Sequence, residues 1–528
     1  MDNPFVAQAE LVLLADNPRD ALRIARMGLS LGGGDPALLE IAAESASQLD
    51  QNADAAHYWQ RLGELAPDNA QAWNGLGIAL QRLGAVDEAE TAWRRALTLL
   101  PDDANLHTNL GLLLEERGAL AEAEQYQRRA VALAPDSAPI LTNHGDLLAH
   151  HGRPDEALAL YGTALARDPN FATAHCNLGV LLTDQGDARA AEASFHHALA
   201  LQPDFPQCHV NLAQLLLVQG RFDEGWPHHE SRLVRARRKG EIPLSTSTPQ
   251  WQGEPLQGRT IIVLPEQGYG DEIQFCRYVP WLKSLGASRV TVACRPELTS
   301  LMQTLAGADQ VVDQDEGLAL LAQHDYWTVL LSLPLHAGTR LDSIPAGAPY
   351  LHADPQRVRR LAPLLDATGD DGALRVGLVW RGNPNHSNDE ARSLPALDSL
   401  APLWTVPGVR FFSLLKSRQP LPPAPQALPL VDLAPYLGDF ADTAALLAGL
   451  DLLISVDTSV AHLAGALGRP CWVLLPARKT DWRWLHARTD SPWYPTMRLF
   501  RQLQHGDWHT PVAALAAALE QLRAAWKT

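Results

Sequence analysis

Three stretches of this sequence gather side chains that could hold a phosphate or a polyhydroxyl ligand. In Leu452 to Pro476, LLISVDTSVAHLAGALGRPCWVLLP, an apolar β-branched run ends on Asp457, Thr458 and Ser459. Such a run reads as a strand buried on both faces of a parallel sheet. Thr458 or Ser459 can cap the helix VAHLAGAL, and Gly468 and Pro470 stop it before the next strand. A helix N-terminus with free N–H groups therefore sits at the carboxyl end of a parallel strand, where open α/β sheets bind ligands, phosphates in particular. His462 lies one turn into the helix, where packing and ligand contact are both open. A βαβ crossover without a ligand would have the same outline.

The second stretch, Glu266-Gln267-Gly268-Tyr269-Gly270-Asp271, follows a strand at 260–264 and opens a helix near Asp271. It is not a dinucleotide fingerprint, because Ile273 fills the third glycine position of G-x-G-x-x-G. Asp271 can act as a helix cap. The third stretch, Arg381 to Ser393, is a long polar loop after a strand at 374–380, and such loops are more often functional than structural. It carries Asn383, Asn385, His386, Asn388, Asp389 and Arg392, the last a fork for phosphate or carboxylate. Lys416 closes VRFFSLLKS, either as an exposed lysine after a strand or as a ligand contact.

These residues carry a family resemblance. DTSVAHLAGALGRP resembles the DT-x-x-x-H-x-A-x-A-x-x-x-P signature of the lipopolysaccharide heptosyltransferases, inverting GT-B glycosyltransferases. The glycine loop resembles their G-x-G-D loop and extends over G-x-G-D-x-I-x-F-x-R-Y, found also in TPR-bearing flagellin glycosyltransferases. The third stretch resembles W-x-G-N-x-x-x-x-x-D-x-x-R-S of the same proteins, with Arg381 at the variable second position. The resemblance implies a GT-B fold, two Rossmann-like lobes with a cleft between them, metal-independent and without a cofactor. The nucleotide-sugar donor is a co-substrate. It makes Asp271 the catalytic base, taking the acceptor hydroxyl proton during attack on the anomeric carbon. Glu266 and Glu272 are rival bases, Glu272 the weaker because the helix turns it away. Donor contacts fall to Gly268, Gly270, Asn383, Arg392, Lys416, Asp457, Thr458, Ser459 and His462. Thr458 and the N–H groups after it suit a phosphate, whereas Asp457 would repel one and so suits sugar hydroxyls. Trp482, Trp484, Trp493 and Tyr494 either stack on a base or sugar or brace a loop.

The elements that precede this half repeat with a period of 34. Gly77, Gly111, Gly145 and Gly179 form one series, Gly84 to Gly220 a second, Pro67 to Pro203 a third, and Ala96 to Ala198 a fourth. With W-x-x-L-G at Trp73–Gly77, the pattern resembles the tetratricopeptide (TPR) consensus, and about seven repeats, degenerate at the ends, fill 1–239. Residues 240–258 form a linker, 259–354 the N-terminal lobe and 355–528 the C-terminal lobe, whose last helix returns toward the first. Asn109, Asn143, Asn177 and Asn211 recur one per repeat on helix A, the face that lines the groove in TPR arrays. They could bond an extended peptide, or supply polarity between repeats. His196–His197 and His228–His229 read as surface residues.

Composition narrows the partners. A net charge of −17 over 528 residues argues against sequence-independent binding to nucleic acid or anionic lipid. The one basic run, Arg232, Arg235, Arg237, Arg238 and Lys239, reads first as a solvated helix end and second as an acceptor contact. Five scattered cysteines suit a reducing cytosol, no signal peptide is evident, and no apolar segment is long enough to span a membrane. The expectation is a cytoplasmic inverting glycosyltransferase acting on a protein, flagellin among the possible acceptors, held by the TPR groove. A glycan- or lipopolysaccharide-directed transferase and a non-catalytic TPR scaffold are the alternatives.

Overall fold

Each 34-residue copy is a pair of helices whose contacts are built by small residues at fixed places. The computed structural model describes all residues except 1, 2, 33, 241, 244, 245, 346, 367–371, 387, 417–429, 527 and 528. It forms two compact units, Met1–Pro203 and Asp204–Thr528. The first is a run of helical hairpins from Pro4–Leu14 and Pro18–Gly32 to Ala172–Gln185 and Ala188–Leu201. A Cβ at Gly77 would stand 2.6 Å from Trp93, and at Gly111, Gly145 and Gly179 it would be 3.0, 2.6 and 2.6 Å from Gln127, Tyr161 and Phe195. The first glycine series is thus the hole into which helix B of the same hairpin sets its largest side chain. Gly84, Gly118, Gly152 and Gly186 turn the chain between the helices with φ of 78°, 74°, 72° and 84°, a region glycine enters without strain.

The second unit opens with a seventh hairpin, Pro206–Val218 and Phe222–His229, followed by Arg232–Arg238. The compact units thus part at 203, ahead of the expected end of the repeats at 239. The reason is packing: Leu217, Phe222 and Trp226 are buried in one apolar core with both sheets. Nor is 240–258 a free linker. Gln250 bridges to Trp327 in parallel, Trp251 donates its N–H to the Trp327 carbonyl at 2.8 Å, and its side chain is only 1% exposed. Gln250 and Trp251 thus lie along the first sheet.

That sheet holds β1 (Thr260–Leu264), β2 (Arg289–Cys294), β3 (Gln310–Asp313) and β4 (Tyr326–Val329), all parallel, in the order β3-β2-β1-β4. The second contains β5 (Leu374–Val379), β6 (Val409–Ser413), β7 (Leu430–Asp432), β8 (Leu452–Val456), β9 (Cys471–Leu475) and β10 (Met497–Arg501). Its order is β10-β9-β8-β5-β6-β7, again all parallel. β8 is buried at every residue, as LLISV requires of an inner strand. The order reverses between β1 and β4 in one sheet and between β5 and β8 in the other. Loops leaving such neighbours part to opposite faces and open a crevice at the carboxyl ends of the strands. All three polar stretches of the sequence follow one of these four strands. The C-terminal helix, His509–Ala525, packs on β10 and the Leu397–Thr405 segment, and Arg523 Nε donates to the Gly408 carbonyl at 2.8 Å. These partners are the edge strand β10 of the second sheet and the segments before β6. Among the described residues no helix is long and apolar enough to cross a membrane.

Candidate active site

After β1 the glycine loop runs into the helix Tyr269–Phe275, whose N-cap is Gly268. Asp271 is therefore not the cap but the third helical residue, and its Oδ2 accepts the Gly268 N–H at 2.8 Å. Its Oδ1 faces the guanidinium of Arg483 in an ion pair, with the two side chains 16% and 8% exposed. Arg483 also reaches both oxygens of Asp481, at 2.9 and 2.8 Å. Glu266 is no rival base: both its oxygens accept from Arg232, at 2.8 and 2.9 Å, in a buried pair. Glu272 is fully buried, accepting the Arg295 N–H at 3.1 Å and pairing with its guanidinium. Burial pushes its carboxyl up to about 7 although Arg295 opposes the shift.

At the other switch point β8 is followed by Asp457, and the helix Ser459–Ala466 starts after Thr458. No side chain caps this helix; the Thr458 hydroxyl bonds the Ser455 hydroxyl instead, at 3.0 Å. The Ala461 N–H already donates to the Thr458 carbonyl at 3.0 Å, so among the described residues the first-turn N–H groups left for another partner are those of Ser459 and Val460. His462 Nδ1 bonds the Tyr494 hydroxyl at 2.9 Å, its ring stacks on Trp484 with centroids 5.4 Å apart, and Nε2 lies 3.7 Å from Asp457 Oδ1. Burial alone would raise the Asp457 pKa, but His462 and the Arg392 charge hold it below the ordinary carboxylate value. The two loops meet here, since a Cβ on Gly270 would stand 2.9 Å from His462 Cδ2. Only a glycine lets the first loop approach the second this closely.

Other expected contacts scatter. Arg392 lies over Gly382, its Nε 3.5 Å from Asp389 and without a hydrogen-bond partner among the described residues. Asn383 is exposed and accepts the Asn385 N–H at 3.0 Å, a turn-forming role. Lys416 donates to the Gly438 carbonyl at 3.0 Å. Ser459 is half-buried at the helix start and Gly268 caps the other helix. The structure thus brings together Gly270, Asp271, Asp457 and His462, and adds Arg483, which the sequence did not single out. Arg483 lies between two tryptophans in Asp481-Trp482-Arg483-Trp484, and a charge set among aromatics was the available signal. Trp482, Trp484, Trp493 and Tyr494 are all buried, so they brace rather than offer an open stacking face. Arg277, from the glycine-loop motif, is buried too. It donates to the Trp493 carbonyl at 2.7 Å and lies 4.7 Å from the rings of Tyr350 and Tyr494. That contact ties the first sheet to the end of the second.

In the repeat unit the Asn109 amide donates to Asn74 at 3.2 Å, and Asn177 donates to both oxygens of Asp146 at 2.8 Å. These bonds link neighbouring repeats. Asn143 is half-buried on Ala138–His150, and Asn211, in the second unit, accepts from Gln207 at 3.0 Å. Of the histidines expected at the surface, His229 is buried.

With this geometry in view, the comparisons with known proteins fall on both halves. Residues 68–136, 145–186 and 182–225 match tetratricopeptide-repeat families. Residues 423–475 match glycosyltransferase family 9 (heptosyltransferase), a segment that contains β7, β8, the Asp457 turn and β9. The chain is thus similar to TPR proteins in its first half and to glycosyltransferase family 9 over residues 423–475. It is 27% identical over 329 residues to protein FlbA of Caulobacter vibrioides, covering 58% of this chain and 53% of FlbA. It thus spans about half the length of that relative. Parts of it are similar to solved repeat structures. One is the Cut9–Hcn1 hetero-tetramer of the APC/C, with 17% identity, 40% of this chain and 42% of that chain covered, and a TM-score of 0.36. Another is the TPR protein TTC0263 of Thermus thermophilus, with 23% identity, 34% and 97% covered, and a TM-score of 0.30.

Proposed function

We propose that this protein is an inverting glycosyltransferase of GT-B type that moves a sugar from a nucleotide-sugar donor to a protein acceptor held by the TPR repeats. The observation that carries this reading is the seam at Gly270 and His462, which packs the Asp271-bearing helix Tyr269–Phe275 against the helix Ser459–Ala466. The donor diphosphate would take the first-turn N–H groups, with Arg392 and Arg483 as its countercharges. Asp457 and His462 would then face the sugar. A phosphate at Arg483 competes with Asp271 for the guanidinium, so donor binding would free the carboxylate. Asp271 takes the proton of the acceptor hydroxyl as its oxygen bonds the anomeric carbon, and the bond to the nucleotide diphosphate breaks on the opposite face.

Asp271→Asn should keep donor affinity within a few-fold and lower turnover by roughly a hundredfold or more. Turnover near wild type would sink the assignment. Because arginines and helix N–H groups can meet the leaving charge, activity is expected to survive excess EDTA. Loss restored by Mg²⁺ or Mn²⁺ would count against it. Flagellin is the first acceptor to assay, with a lipopolysaccharide or other glycan as the competing one.

One observation favours a scaffold without turnover: both oxygens of Asp271 are already engaged, by Gly268 and Arg483. Thermal-shift screening against UDP-, ADP-, GDP- and CMP-sugars separates the two. A scaffold shows no stabilisation by any of them.

A further inference from the structure

The seventh hairpin has the periodicity of a repeat, and the helix that follows it, Arg232–Arg238, carries a buried charge network. The Arg232 guanidinium makes five hydrogen bonds to four residues. Nε and Nη2 hold Glu266 at 2.8 and 2.9 Å, and Nη2 also donates to Ser332 Oγ at 3.0 Å. Nη1 donates to Glu230 at 2.6 Å and to the His229 carbonyl at 3.1 Å. Glu266 begins the glycine loop after β1, and Ser332 lies just past β4. One side chain therefore fastens both loops at the switch point of the first sheet. Replacing a buried ion pair by apolar side chains of like size is commonly neutral or stabilising, so stability alone does not account for this one.

The same hairpin also reaches the Arg483 loop. Trp226 donates its indole N–H to the Thr339 carbonyl at 2.9 Å and meets Trp482 edge-on, ring centroids 5.4 Å apart. Phe222 lies 5.8 Å from the Trp493 ring, and His229 lies 6.3 Å from that of Trp482. Burial, with Arg232 and Arg483 close by, holds His229 well below its usual pKa, so a neutral imidazole lies near both guanidiniums.

We propose that residues 222–238 are a positioning element of the active site, in which Arg232 holds the Asp271 loop and Trp226 the Arg483 loop. The catalytic part of this inference rests on the reading of Asp271 given above. Neither residue touches the reacting atoms; each acts by setting where Asp271 and Arg483 stand.

The test uses the full chain. The double variant Arg232→Met, Glu266→Gln leaves no buried charge stranded at that pair, and Trp226→Leu keeps an apolar filler. In both, hydrogen exchange at 265–271 and 481–485 is expected to rise at least tenfold, with β5 and β8 unchanged. Turnover should fall at least tenfold while nucleotide-sugar affinity, read by thermal shift, stays within threefold. Arg232→Lys keeps the charge without the fork and should fall between wild type and the double variant. Unchanged exchange at both loops in folded variants would overturn the proposal. So would wild-type turnover in the double variant alongside loss of turnover in Asp271→Asn. Wild-type turnover in Asp271→Asn itself would remove the base reading instead, and the exchange result would then decide the positioning claim alone.

Discussion

At the scale of single residues, the site depends on how closely two loops approach. Gly270 has His462 where its own Cβ would be, at 2.9 Å from Cδ2. Gly270→Ala must push the imidazole off Trp484 and away from Tyr494. A cost of about 1–3 kcal/mol is expected for overpacking a filled site, read as a lower urea midpoint at unchanged slope. An unchanged midpoint would mean that the seam yields freely. Glu272 offers a separate test through pH. Its folded pKa is raised from 4.5 to about 7, so the folded chain keeps a proton that the unfolded chain has lost between those values. Stability contributed by the protonated form is full below the lower value and is lost as pH rises through the upper one. Against Glu272→Gln, the wild type should therefore lose on the order of 2–3 kcal/mol of stability between pH 5 and pH 8. Parallel urea curves at the two pH values would refute the shift.

At the scale of elements, what is local in the chain was readable in the chain. Each hairpin packs mainly on itself and its neighbours, so its glycines recur where Trp93, Tyr161 and Phe195 need room, and a period of 34 follows. The strand, turn and helix from Leu452 to Ala466 are likewise adjacent residues with strong patterns. The edge strands β7 and β10 escaped notice. LVD is only three residues long, and MRLFR carries arginines where an inner strand would be apolar. The asparagine series was legible as a pattern but not as a role, because a helix face does not state what stands opposite it. Asn177 stands against Asp146, which also accepts the Tyr161 hydroxyl at 2.5 Å. Asn177→Ala should thus destabilise the repeats by about 1–2 kcal/mol with or without an acceptor present. If thermal unfolding is unmoved and only acceptor affinity falls, the amide serves the groove and not the packing.

At the scale of the whole molecule, periodicity and packing divide the chain at different places. The 34-residue pattern continues past residue 203, but Phe222, Trp226 and Arg232 are buried with the sheets. Such contacts were illegible in advance because their partners, Trp482 and Glu266, lie far along the sequence. A fragment starting at Asp204 is expected to unfold cooperatively, with ordered aromatic circular dichroism. One starting at Pro243 strands Glu266 without Arg232, a loss of roughly 3–5 kcal/mol for a broken buried pair, besides the emptied aromatic sites. It should lack a cooperative melt. A sharp transition in the shorter fragment would return the boundary to 239. The ion pair between Asp271 and Arg483 joins residues 212 apart. A ribosome adding about 5–20 residues per second needs about 10–40 s to cover that interval. Throughout it, the nascent chain holds a glycine loop already anchored by Arg232, with its aspartate still facing water. The site is therefore completed only once Arg483 has emerged, and a chain released before then would carry the aspartate without its counterion.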